Sequence, residues 1–310
     1  MKTKKYNINR EFFPFSKVSL PIRNPRLAGF VGSLMKPPRS IFHDEEVSVR
    51  REQIAGYNGE EIEVLIFSPK GLASGSPLIV YYHGGGFFFE GASYHYNMAR
   101  KYAQSTSCQL IFVQYRLAPK HVFPTAAEDS FAAYKWAVDN AEALGIDKTR
   151  IAVVGDSAGG NLAAVVAQMA RDRAVTVPTC QMLIYPVIDR RMTSESSRTM
   201  TDAPMWNSTL SKMMWRAYLG DYDGENIAYA SPIEAKDFSA LPDAYIETAE
   251  FDSLRDEGIA YAEALQRAGG EVVLNRTLGT MHGYDIVKKS PVTKASVTAR
   301  IEYLNTKLYK

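Results

Sequence analysis

Cysteine is scarce: this chain of 310 residues holds two, Cys108 and Cys180. Each lies inside an apolar run, SCQLIFVQY or TCQMLIYP, without the C-x-x-C or Cys/His spacing of a metal site, so buried free thiols are expected rather than a disulfide or a metal centre. Such thiols fit a reducing compartment. Long apolar runs are missing too. Nothing approaches the stretch of about 18 apolar residues that reads as a membrane helix, and the basic beginning MKTKKYNINREFFPF has no signal-peptide core. A soluble, cytoplasmic protein is expected. Nor does one sign of charge dominate: 36 Lys and Arg against 34 Asp and Glu leave a net +2, which supplies no field for nucleic acid or a membrane surface. Histidine is also rare, with five residues, at 43, 83, 95, 121 and 282.

What remains is an ordinary globular composition, 46% hydrophobic and 23% charged, in a chain whose length suits one large α/β domain. From residue 60 onward the short runs EIEVLIF, PLIVYY, LIFVQY, RIAVVG, TCQMLIYP, DAYIETA and EVVLNRT read as strands. Amphipathic stretches at 124–143, 158–171, 256–268 and 292–308 read as helices. Their alternation predicts an α/β fold with a mostly parallel central sheet flanked by helices on both faces. Two regions break the rhythm: residues 1–45, punctuated by Pro and Arg, and 187–240, where DRRMTSESSRTMTD leads into the Met- and Trp-rich MWNSTLSKMMWRAYLGDY. Both are expected outside the sheet, with 1–45 and 187–225 packing together as a cap over one end of it. No repeat or low-complexity linker separates them, so 1–310 is read as one domain.

The stretch RIAVVGDSAGGNLAAVVAQMA, residues 150–170, reads as strand, sharp turn and helix, with Ser157 central in the G-x-S-x-G pattern Gly155-Asp156-Ser157-Ala158-Gly159. A pattern this short arises by chance, and a serine in a Gly-rich turn is commonly an N-cap. Here a buried-type strand precedes it and an Ala-rich helix follows, which is the context of a nucleophile elbow. Gly155 and Gly159 let strand and helix pass close to a strained turn that exposes the Ser157 hydroxyl. A second glycine-rich stretch, HGGGFFFEG at 83–91, follows another strand and in isolation reads as a tight turn. Beside an acyl-transfer serine it gains a purpose, because the tetrahedral oxyanion needs preorganised N–H donors. Gly84 and Gly85 are expected to supply two and Ala158 a third, with His83 and Gly86 shaping the loop.

A serine hydroxyl needs a base, and in folds with this elbow the chain order is Ser, then an acid, then His. His282, in LGTMHGYD, is the one histidine after Ser157. His43 and His121 read as loop residues, and His95 in GASYHYN either lines the pocket or, the favoured reading, faces solvent. For the acid, DAYIETAEFDSLRDEG offers Glu247, Glu250, Asp252, Asp256 and Glu257. Glu247 sits within the strand, while Asp256 and Glu257 open a helix, where acids favour the positive dipole end without further function. Asp252, in the loop between, is the best candidate and Glu250 the second.

The blocks HGGGF at 83–87, YRLAPKHVFPTAAED at 115–129, GDSAGGNLA at 155–163, FDSLRDEG at 251–258 and MHGY at 281–284 together resemble the hormone-sensitive-lipase-like bacterial carboxylesterases, often called family IV, of the α/β-hydrolase fold. The resemblance implies Ser157 as nucleophile, Asp252 as acid, His282 as base and Gly84, Gly85 and Ala158 as oxyanion donors. It also implies a mainly helical lid from the two irregular regions. Tyr115 and the stretch Arg116 to Asp129 would brace the loop under the site, as Asp156 would the elbow.

The expected activity is serine carboxylesterase chemistry through a covalent acyl-enzyme, with no metal or organic cofactor. Short acyl chains are expected, because Phe87, Phe88 and Phe89 beside the oxyanion loop would close off an acyl channel. Phe87, Phe88, Tyr185, Met205, Trp206 and Met214 are candidates for the substrate pocket, although Met and Trp at helical spacing more often seat a cap on a sheet. Two rivals use the same scaffold: a deacetylase or amidohydrolase of sugar or xenobiotic acetyl groups, and a small-molecule receptor without catalysis. The expected partner is a small ester rather than nucleic acid or membrane, and a homodimer is left open.

Overall fold

The computed structural model describes residues 5–18, 42, 44–222 and 224–310. His43, residue 223 and the remainder of the expected cap segment 1–45 lie outside them. Eight strands, β1 (Val47–Ala55), β2 (Glu61–Pro69), β3 (Ser76–Tyr82), β4 (Gln109–Gln114), β5 (Ile146–Asp156), β6 (Cys180–Ile184), β7 (Asp243–Phe251) and β8 (Val272–Met281), form one sheet. Their order is β1-β2-β4-β3-β5-β6-β7-β8. The pairs β1–β2 and β2–β4 are antiparallel, and every other pair is parallel. Parallel strands need crossovers, which the sequence supplies as helices: α1 (Ser93–Thr106), α2 (Thr125–Asp139) with the short α3 (Ala141–Leu144), α4 (Ala158–Asp172), α5 (Glu195–Thr199), α6 (Ser208–Leu219), α7 (Arg255–Arg267) and α8 (Pro291–Leu308). Among the described residues no helix is long and apolar enough to cross a membrane.

The sheet is covered on both faces, which is why SPLIVYY in β3 is buried along its whole length. Leu78, Val80 and Tyr82 join one core with residues of α2, α4 and α7, such as Phe131, Leu162 and Tyr261. Ile79 and Tyr81 point the other way, into a core completed by Tyr102 of α1, Leu304 of α8 and Phe12 from a short helical turn, Arg10–Phe15.

The seven strand-like runs correspond to β2 through β8, and the four helical stretches to α2–α3, α4, α7 and α8. Two elements escape the pattern. β1 is an edge strand that buries only Val47 and Ile54 of its nine residues, so VSVRREQIA shows no apolar run. α1 builds its buried face from His95, Tyr96, Ala99, Tyr102, Ala103 and Thr106, without Leu, Ile or Val. The irregular regions do meet: Met205 N–H donates to Val18 O at 2.7 Å, and Lys5 and Tyr6 both donate to Asp202.

One charged cluster ties α8 to the sheet. Arg300, fully buried, donates to both Glu247 of β7 and Asp285, the latter at 2.8 Å. Tyr284 and Tyr245 hydroxyls also donate to Glu247, at 2.6 and 3.0 Å. Burial alone would push Glu247 up, and the guanidinium outweighs it and holds the carboxyl below its usual range. Replacing Arg300 by Met strands two buried carboxylates, so a loss of about 3–5 kcal/mol is expected, read as a fall in Tm of roughly 5–10 °C. An unchanged melting temperature in Arg300→Met would contradict this role.

Candidate active site

Strand β5 ends at Asp156, α4 begins at Ala158, and the residue between them takes an uncommon backbone, Ser157 with φ 54° and ψ −118°. Such strain persists only where the surroundings impose it. Ser157 N–H donates to Ile184 O at 2.8 Å and its carbonyl accepts from Val187 N at 3.1 Å, which pins the turn to β6 and the chain after it. The side chain, 5% exposed, is thereby presented at the carboxyl edge of the sheet.

The carboxyl ends of β7 and β8 bring the partners. Asp252 follows β7 directly and His282 follows β8 directly. His282 Nδ1 lies 2.7 Å from Asp252 Oδ2, and His282 Nε2 lies 2.9 Å from Ser157 Oγ. A carboxylate only accepts, so Nδ1 carries the proton and Nε2 is free to accept the serine hydroxyl. Asp252 is completely buried, and its other oxygen accepts Leu254 N–H at 3.0 Å.

The four other acids are engaged elsewhere. Glu247 pairs with Arg300. Glu250 accepts Gly279 N–H at 2.6 Å, Asp256 pairs with Arg255 at 2.7 Å, and Glu257 accepts the Ile188 N–H at 2.7 Å. Burial pushes Glu257 well above the usual carboxyl range. Of the five candidates, Asp252 alone meets His282.

The loop after β3 forms the facing wall. Gly85, with φ 126°, and Gly86, with φ 60°, line the cavity beside Ser157. Among the described residues no acceptor takes the N–H of Gly85, Gly86 or Ala158. Gly84, expected with Gly85 to supply the donors, does not line the cavity. It is pressed against the elbow instead, where a Cβ would lie 2.3 Å from Asp156 Oδ2. The glycine pair that faces the cavity is therefore shifted by one residue from the expected pair, since Gly84 is used for packing.

Behind this loop His83 and Asp156 are buried. His83 Nδ1 donates to Gly84 O at 2.7 Å, its ring stacks on Tyr115 at 4.5 Å, and burial pushes it down to about 3, so it is neutral. Tyr115 hydroxyl donates to His83 O at 2.7 Å and Ala118 N–H to Phe87 O at 2.8 Å, which brace the loop, whereas Arg116 and Asp129, paired at 2.8 Å, hold Tyr57 instead. Burial alone would raise Asp156, but His95 and Tyr81 outweigh it and hold the carboxyl below its usual range. Tyr81 and Tyr94 hydroxyls donate to it at 2.6 and 3.2 Å, and His95 Nε2 lies 3.1 Å away. His95, 3% exposed, thus lines the cavity instead of facing solvent, because it sits on the buried face of α1.

The cavity has a volume of about 280 Å³. Of the six proposed pocket residues, Tyr185, Met205 and Trp206 line it, and Phe87, Phe88 and Met214 do not. Phe87 turns inward and stacks on Tyr218 at 3.8 Å, while Phe88 packs on Phe89 and Met214 is buried in the core. Phe89, Glu90, Tyr94 and Ile286 complete much of the wall. The adjacency of Glu90 to the aromatic run was a signal available in HGGGFFFEG; Tyr94 had none without α1. Tyr185 also places its ring edge-on to His282 at 4.7 Å and donates its hydroxyl to Asp285 at 2.7 Å. Among the described residues no group of three or more His, Cys, Asp or Glu side chains is arranged to hold a metal ion.

A family described as alpha/beta hydrolase fold matches residues 79–286. The carboxylesterase NlhH of Mycobacterium tuberculosis is 39% identical over 237 residues, 75% of this chain and 74% of its own. The arylesterase of Saccharolobus solfataricus is 35% identical over 251 residues, 81% of this chain and 80% of its own. Among solved structures a bacterial heroin esterase superposes with a TM-score of 0.89 at 31% identity, covering 97% of this chain and 98% of that one. The shared fold, the elbow at Ser157 and these likenesses over most of the length lead to one conclusion: the chain belongs to the hormone-sensitive-lipase-like family of α/β hydrolases.

Proposed function

We propose that the protein is a serine carboxylesterase acting on short-chain esters, with Ser157 as nucleophile, His282 as general base and acid, and Asp252 holding the imidazole. The observation that carries this reading is the continuous contact from Asp252 through His282 to Ser157, at 2.7 and 2.9 Å, opening into a cavity. Relatives named carboxylesterase and arylesterase support it.

In the reaction, His282 Nε2 takes the Ser157 proton as Oγ attacks the ester carbonyl. The imidazolium that forms is stabilised by Asp252, and the oxyanion by the amides of Gly85, Gly86 and Ala158. Collapse returns the proton to the leaving alcohol and leaves an acyl group on Ser157. Water then attacks that acyl group with His282 again as base, and the acid departs. Short acyl groups are favoured because a cavity of about 280 Å³ with Phe89, Met205 and Trp206 in its wall has little room for a long chain. We assign residues 1–45 and 187–225 to a cap on a single α/β-hydrolase domain; the contact of Met205 with Val18 supports that grouping. The near-balanced charge supports a small ester, not nucleic acid, as partner, and the two buried thiols support a reducing compartment.

Hydrolysis of p-nitrophenyl acetate, butyrate, octanoate and palmitate tests the activity. The short esters should lead, and Ser157→Ala or His282→Ala should lower kcat by about a millionfold. A wild type inert on all four, or a rate rising steadily toward palmitate, would overturn the reading. The acid is tested separately. Asp252→Asn should lower kcat by about ten-thousandfold, whereas Glu250→Gln should change it by less than roughly tenfold because its carboxylate serves Gly279. The reverse order would reassign the acid to Glu250.

A further inference from the structure

The wall of the cavity beside Ser157 contains a carboxylate that no group among the described residues neutralises. Glu90 follows directly on Phe89 and lines the same cavity as Ser157, His282 and Trp206. Asp156, the other acid in that wall, is engaged by Tyr81, Tyr94 and His95. Glu90 has no hydrogen-bond or ion-pair partner among the described residues. Burial pushes it up to about 7, with Glu63 of β2 adding to the effect.

Among the described residues the groups around it offer no free cation. Glu63 is itself acidic, and Arg51 of β1 is spent on it at 3.3 Å. Tyr96 of α1 and Tyr115 after β4 are the phenols in its field. Across the cavity stand His95, Asp156 and His282, each already bonded. An acid desolvated in an apolar wall is unfavourable unless a partner arrives, and the surrounding wall is aromatic. A soft organic cation satisfies both features, since it neutralises the carboxylate and is attracted to the faces of Phe89 and Trp206.

We propose that Glu90 is a specificity determinant that selects esters carrying an alkylammonium group, whose cation is held by the Glu90 carboxylate and the neighbouring rings while the ester carbonyl lies at Ser157. This deepens the serine-esterase reading and rests on it. The alternative substrate for the same cavity, a neutral ester of equal shape, leaves Glu90 without a counter-charge.

The test is kcat/KM for acetylcholine against its uncharged carbon isostere, dimethylbutyl acetate, measured at pH values either side of 7 for the wild type and Glu90→Gln. Above the Glu90 transition near 7 the wild type should favour the cation by about tenfold or more. That ratio should fall as the pH drops and Glu90 takes up a proton, because the quaternary ammonium keeps its charge throughout. Glu90→Gln should show a small ratio with no pH dependence. If this variant does not fold, the pH profile of the wild-type ratio decides alone. A wild type that hydrolyses the neutral ester and shows a ratio near one at every pH overturns the proposal and leaves the esterase reading standing. Inertness toward both esters removes the esterase reading, and this proposal with it.

Discussion

Three stretches of backbone cross at the elbow with no room for a side chain, and the rest of the site depends on that crossing. A Cβ on Gly159 would lie 2.0 Å from Tyr82 O, and one on Gly155 would lie 2.1 Å from Gly159 O. Glycine at these two positions lets the first turn of α4 sit against the ends of β3 and β5. The unfavourable backbone of Ser157, about 1–3 kcal/mol in such cases, is held by the bonds to Ile184 and Val187. The same closeness sets the glycine wall of the cavity, because the loop that leaves β3 at Tyr82 passes beside the N-terminus of α4. Gly84 gives up its place at the cavity to that packing, and Gly85 and Gly86 take it.

Two buried polar clusters hold the faces of this crossing. Beneath the elbow, Asp156 gathers Tyr81, Tyr94 and His95, and so joins β5 to β3 and α1. Beneath the His282 loop, Arg300 gathers Glu247 and Asp285, and Asp285 in turn accepts the hydroxyl of Tyr185, whose ring flanks His282. The first cluster positions the serine and the glycine loop, and the second positions the histidine. Both centre on charged groups that burial would make costly in isolation, so Asp156, Glu247, Asp285 and Arg300 each have two or more partners.

Much of this was legible in the residues. Parallel strands buried on both faces leave apolar runs such as PLIVYY and RIAVVG, and the elbow leaves its glycines at fixed spacing around Ser157. His282 followed from the scarcity of histidine after that serine. What the sequence hid had physical reasons. β1 is half exposed, and the tyrosine and histidine face of α1 carries no aliphatic periodicity, so the sequence does not show that His95 is buried. The direction of side chains within HGGGFFFEG depends on a positive φ at Phe87, 63°, which turns that ring toward Tyr218 and leaves Phe89 and Glu90 to the cavity. A run of identical rings gives no means of telling which one turns in.

The most direct measurement is to react the protein with an organophosphate ester, diethyl p-nitrophenyl phosphate, and to map the adduct by peptide mass spectrometry. One diethylphosphoryl group per chain on the peptide carrying Ser157, formed far more slowly in His282→Ala, is the result the proposed mechanism requires. Covalent labelling at another residue, or an unlabelled Ser157 in protein that still hydrolyses esters, would contradict it.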